Sequence, residues 1–191
     1  GSLPSPGNQA WFVNKNKVYR IGLKNVGGTT NITAELRDGS GDYEVLQGTT
    51  LSDASGGWYH VVFTFDDSSN RIRLYVNGSQ VASKTHNNST VNQNSAFSIG
   101  RRHDSNAAYY AGKIDEVAYW NTELSANAIS TLYNSGTPLS ASSNSGNYTS
   151  SGNLVAYYQF QENLNDSEGS FTLTNYNNNI GSSNYVAETI E

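Results

Sequence analysis

Paired carboxylates can do acid and base chemistry only when they share a face, which on a strand means residues i and i+2. The adjacent acids of this chain do not. Asp115 and Glu116 would point to opposite faces of a strand, and Asp66-Asp67 falls in the polar stretch DDSSN (66–70), where an Asx turn is the expected role. The three histidines offer no metal triad by spacing. His60 lies on the opposite face of its strand from Tyr59, Val61 and Phe63 and reads as structural; His86 lies in an Asn/Ser-rich loop and reads as solvated. No G-x-S-x-G context accompanies the serines. The absence of Cys removes thiol catalysis, thiolate metal sites and disulfides. The chain therefore reads as a non-enzyme.

Recognition chemistry remains. In RRHDSNAAYY (101–110), Arg102, His103, Asp104, Asn106 and Tyr109 bring charge, amide and aromatic groups into one predicted loop, beside Tyr110. Exposed aromatic rings stack on sugar C–H faces, while amides and charged groups bond the hydroxyls. Trp11, among Asn8, Gln9, Phe12, Asn14 and Lys15, has two readings: a core ring, or an exposed platform for a ligand. Trp58 and Trp120 read as core. Two oxygen-rich stretches, NLNDSE (163–168) and DGSGD (38–42), contain the donors that calcium gathers in sets of six to eight. The second opens like an EF-hand loop but has Tyr43 where that loop needs Gly, and no late Glu. Its alternative is a polar hairpin loop.

Strands must position these groups. In WYHVVFTFDDSSNRIRLYVNGSQVAS (58–83), Tyr59, Val61, Phe63 and Phe65 alternate along one strand. Ile72, Leu74 and Val76 then face one way while Arg71, Arg73 and Tyr75 face the other. Asn77-Gly78 supplies the positive φ angles of a tight hairpin, so the segment reads as a three-stranded antiparallel meander. Further strands are expected at 17–23, 30–36, 43–46, 96–101, 112–120, 154–161 and 171–174. One helix is expected over 126–133, capped by Ser125, with Leu124 and Ile129 as a hydrophobic staple and Gly136 past its end.

Residues 137–152, TPLSASSNSGNYTSSG, read as a surface connection, and 153–191 are too few to bury a core alone. The expectation is one domain over 1–191, with 153–191 completing its sheets. Asn, Ser, Thr and Gly supply 84 of 191 residues, and the net charge is −5. That balance excludes an electrostatic nucleic-acid binder, and no apolar run reaches the roughly 18 residues of a bilayer span. A neutral polar surface suits an extracellular, cell-surface or virion-surface protein. No secretory leader is read at the start, where Gly1-Ser2 looks like a cloning remnant.

The order of a Trp-Tyr-His strand, an L-Y-V-N-G hairpin (74–78), the strand AFSIGRR (96–102) and YYAGKIDEVAYWNTELSANAISTLY (109–133) resembles the bacterial laminin-G-like (LamG) jelly rolls of the concanavalin A-like lectin/glucanase superfamily. The resemblance implies an all-β antiparallel sandwich with one short helix. It also implies a structural calcium near Asp115, Asn165 and Asp166, because 163–168 matches the family's N-x-x-D-S-x-G loop. The same carboxylates read equally as buried and hydrogen-bonded. NLVAYYQFQENLNDSEGSFTLTN (153–175) looks like the opening of such domains yet comes last, so the strand order is either circularly permuted or continues into a following repeat. The E-x-D-x-x-E motif of the superfamily's glycanases is missing. The function expected is a non-catalytic extracellular carbohydrate-binding or adhesion module whose partner is a glycan or polysaccharide. The alternative is a phage or cell-surface structural or receptor-binding domain that contacts other protein subunits.

Overall fold

A computed structural model describes residues 3–5, 7–51, 57–86, 94–102, 108–169 and 171–175. The chain forms two compact units, Gly1–Lys113 and Ile114–Glu191.

The first unit holds eight strands: β1 (Gln9–Lys15), β2 (Tyr19–Val26), β3 (Thr29–Arg37), β4 (Tyr43–Leu51), β5 (Val61–Asp66), β6 (Arg71–Val76), β7 (Ser79–Thr85) and β8 (Phe97–Ile99). They make a five-stranded sheet in the order β4-β3-β2-β1-β8 and a three-stranded sheet β5-β6-β7, with every pairing antiparallel. Turn chemistry sets the hairpins. Gly27-Gly28 and Asn77-Gly78 take the positive φ values that match strand twist. The Asp38 carboxylate accepts from the main-chain N–H groups of Ser40, Gly41 and Asp42, closing the β3–β4 loop as a polar hairpin. Alternation then places Ala10, Leu23, Ile32, Ala34, Leu36 and Leu46 of the larger sheet against Ile72, Leu74 and Val76 of the smaller one, and this is the core of a sandwich.

The polar-aromatic segment around Trp11 is β1, a strand with a neighbour on each side. A β-bulge between Trp11 and Val13 breaks its alternation, which is why periodicity alone did not mark it. Trp11 lies opposite Gly22, and a Cβ on Gly22 would stand 2.2 Å from the Ala10 carbonyl oxygen and 2.7 Å from the Trp11 Cα. Several expectations in this unit need correction. The first meander strand starts at Val61, so Trp58 and Tyr59 precede it, and Trp58 is 49% exposed rather than core. Tyr75 is buried, although it lies on the face of β6 opposite Ile72, Leu74 and Val76. His86 is buried edge-to-face against Phe65, not solvated.

The second unit contains β9 (Val117–Trp120), α1 (Ala126–Tyr133) and β10 (Leu154–Tyr158), with β9 and β10 paired antiparallel as a separate two-stranded sheet. The Ser125 hydroxyl accepts from the Ala128 N–H at 3.1 Å, Leu124 and Ile129 are buried, and Asn134 closes the helix in the left-handed region. Residues 137–152 are more than a surface connection. Tyr148 is fully buried, donates to the Ala141 carbonyl at 2.6 Å and accepts from Trp120 Nε1 at 2.9 Å. Residues 171–174 form no strand, and Phe171 is exposed. No helix among the described residues is long and apolar enough to cross a membrane.

Two predictions follow from this packing. Gly22→Ala forces β1 off β2, because the new methyl meets main chain that cannot rotate away. Overpacking of this kind costs about 1–3 kcal/mol, read as an earlier denaturant midpoint. The second concerns His60, whose main chain is clamped by Asn77: its N–H donates to Asn77 Oδ1 at 3.0 Å, and its carbonyl accepts the Asn77 N–H at 2.8 Å. Burial pushes the imidazole down to about 4 from 6.5. The unfolded chain therefore binds the proton first, and stability falls by about 3 kcal/mol as pH drops from about 6.5 to about 4. A His60→Gln variant flattens this slope in thermal melts across the same pH range; an unchanged slope would assign it to another group.

A groove beside the first strand

A concavity of the first unit lies where the chain enters β1 and passes the segment 108–111. It encloses about 550 Å³ and is lined by Leu3, Pro4, Ser5, Gly7, Asn8, Gln9 and Ala10 on one side and Arg102, Ala108, Tyr109 and Ala111 on the other. Main-chain bonds hold the two sides together: Trp11 N–H donates to the Ala108 carbonyl at 3.3 Å, Gly100 N–H to Phe12 at 2.7 Å, and Tyr110 N–H to Gly100 at 2.9 Å.

Neighbouring tyrosines take opposite roles here. The Tyr110 ring packs edge-to-face on Phe12, with centroids 4.7 Å apart, and joins the core. Burial pushes its hydroxyl above the ordinary tyrosine range. A Cβ on Gly112 would stand 2.4 Å from that ring, so the glycine makes room for it. With Tyr110 turned inward, Tyr109 turns outward and leaves 46% of its surface open at the groove. Ser5, Asn8, Gln9 and Arg102 share the groove's lining with it, and no Asp or Glu is among the described lining residues.

Of the residues expected to bind a ligand, Arg102 and Tyr109 line this groove, while His103, Asp104 and Asn106 lie outside the described residues. Trp11 is corrected: its ring has no exposed surface and cannot stack on a ligand. It forms one side of a stack instead. The Arg20 guanidinium lies 4.6 Å from the Trp11 ring and 4.2 Å from the Tyr43 ring, and donates to Glu35 at 2.5 Å. Lys24 reaches the other oxygen of the fully buried Glu35 carboxylate at 2.9 Å. Sequence reading missed the groove's N-terminal side; the signal available was the Asn8-Gln9 amide pair flanking an aromatic run.

Asp115, Asn165 and Asp166 were expected to hold calcium. Asp166 Oδ1 accepts the main-chain N–H groups of Tyr157 at 2.8 Å and Glu168 at 3.1 Å, and Oδ2 accepts that of Phe171 at 3.4 Å. Asp115 Oδ1 accepts the Glu116 N–H at 3.0 Å. The Asn165 N–H donates to Asn163 Oδ1 at 2.9 Å. Among the described residues, no three His, Cys, Asp or Glu side chains gather at one place. Through these bonds Asp166 caps its loop. At the Asp66 turn, hydroxyls of Ser68 and Ser69 hold the carboxyl down to about 2, as an Asx turn does.

A family model described as the concanavalin A-like lectin/glucanases superfamily matches residues 3–130. No curated protein sequence matches the chain. Among solved structures, a candidate carbohydrate-binding protein from Bacteroides ovatus superposes with a TM-score of 0.58 at 21% identity, over 83% of this chain and 44% of its own. The binding domain of Paraclostridial Mosquitocidal Protein 1 gives 0.48 at 20% identity, over 69% of this chain and 32% of its own. This chain thus spans less than half the length of either, and the likeness to the Bacteroides ovatus protein is one of fold.

The loop-cap reading predicts that Asp166→Ala lowers the melting temperature, since the N–H of the buried Tyr157 loses its acceptor at about 1–3 kcal/mol, while those of Glu168 and Phe171 turn to solvent. Millimolar calcium or EDTA leaves the wild-type melt in place. A clear rise with calcium would restore the ion to this loop.

Proposed function

We propose that this chain, which belongs to the concanavalin A-like lectin/glucanase superfamily, is a non-catalytic lectin-like module that binds carbohydrate in the groove beside β1. The observation that carries this reading is the outward Tyr109 ring in a groove whose described lining also includes Ser5, Asn8, Gln9 and Arg102. An aromatic face takes the C–H side of a sugar ring, and the surrounding donors and acceptors take its hydroxyls. The described lining supplies a cation and neutral donors but no carboxylate, which favours holding a glycan over cleaving one. The Asn-, Ser- and Thr-rich composition suits a surface-exposed or extracellular setting.

A glycan and polysaccharide array tests the reading. The wild-type chain binds a defined set of sugars, Tyr109→Ala weakens that binding by roughly tenfold, and Trp58→Ala, which removes an exposed aromatic outside the groove, leaves it unchanged. Loss with Trp58→Ala but not with Tyr109→Ala would place the site elsewhere. A blank array for folded protein would favour a domain that makes protein contacts instead.

A further inference from the structure

The register of β1 leaves one residue's main chain open at the groove. The Asn25 N–H donates to the Asn8 carbonyl at 2.9 Å, and Gln9 pairs with Lys24, so Gln9 occupies a position whose own N–H and C=O turn away from β2. Two residues on, Trp11 shows the same orientation by donating away from β2 to Ala108. Pairing of β1 with β8 begins only at Val13. Gln9 lines the groove, and among the described residues its N–H and C=O have no hydrogen-bond partner.

We infer that the Gln9 main chain reads the ligand: its N–H donates to one hydroxyl of a sugar ring, its C=O accepts from the adjacent hydroxyl, and the ring's C–H face lies on Tyr109. A donor and an acceptor side by side match a pair of neighbouring hydroxyls, which can accept and donate in turn. The opening is too short for an added peptide strand, because the next outward N–H, that of Trp11, already has its acceptor. A compact polyhydroxylated ligand fits it better than an extended chain. This inference rests on the carbohydrate reading of the groove and adds the group that selects the sugar.

Main-chain recognition makes an unusual mutational pattern. Gln9 is the first residue of β1 and its N–H is not used by β2, the one kind of strand position where proline is tolerated. Gln9→Pro therefore removes the donor and spares the sheet, whereas Gln9→Ala removes only the side chain. The probes are the methyl glycosides of glucose, mannose and galactose, with their 3-deoxy and 4-deoxy derivatives, measured by titration calorimetry. For glycosides that bind the wild type, Gln9→Pro weakens binding by roughly tenfold beyond whatever Gln9→Ala, which keeps the main chain, loses. Deleting one of the two contacted hydroxyls costs a similar factor in the wild type and little more in Gln9→Pro. Should the proline variant melt early, the α-hydroxy acid analogue of Gln9, which replaces the N–H by an ester oxygen, makes the same test. If Tyr109→Ala abolishes binding but Gln9→Pro does not, this inference falls and the carbohydrate reading stands. If no glycoside or array glycan binds folded wild type, both fall. Binding of an extended Val-Thr hexapeptide in place of sugars also overturns it.

Discussion

A strand with a neighbour on each side must divide its main-chain groups between them, and in β1 that division hangs on one close approach. Trp11 lies directly across from Gly22, where any side chain would meet main chain, and the bulge that follows shifts the register by one residue. The strand reaches β8 from Val13 onward, Ala108 at Trp11, and nothing described at Gln9. The groove is thus a by-product of how the larger sheet fits together at its edge. Tyr109 stands on one side of it, turned outward as Tyr110 packs inward on Phe12.

Trp11 also ties that edge to the rest of the sheet. On the face away from the core, Arg20 lies between the rings of Trp11 and Tyr43 and shares the buried Glu35 carboxylate with Lys24. A carboxylate without solvent is tolerated because two cations satisfy both its oxygens; removal of either partner would leave buried charge uncompensated. Three strands, β2, β3 and β4, are linked to β1 through this stack. Glu35 is accordingly a structural acid, although a buried carboxylate on a lectin-like sheet invites a catalytic reading.

The hairpins and the helix were legible because their causes are local. Asn77-Gly78 needs positive φ, Ser125 caps the first turn over Ala128, and alternation marks β6, whatever the rest of the chain does. Trp11, Trp58 and His86 were not legible, since side-chain burial depends on which element arrives from far away in sequence. Composition led to the solvated reading of His86, yet Phe65 covers it. Tyr148, in a stretch almost without apolar residues, is buried because Trp120 and the Ala141 carbonyl both reach its hydroxyl.

By itself, the sequence determined an antiparallel all-β chain with one capped helix and the family likeness, and it singled out Arg102 and Tyr109, which line the groove. These follow from residue type and spacing within a few positions. Tertiary structure alone decided that Leu3, Asn8 and Gln9 line one groove with Arg102 and Tyr109, that Tyr109 turns out while Tyr110 turns in, and that Asp166 caps a loop. Each of these depends on strand register, and a register is settled by packing across the whole sheet: one extra residue at the Trp11 bulge changes which main-chain groups meet a partner and which meet the groove.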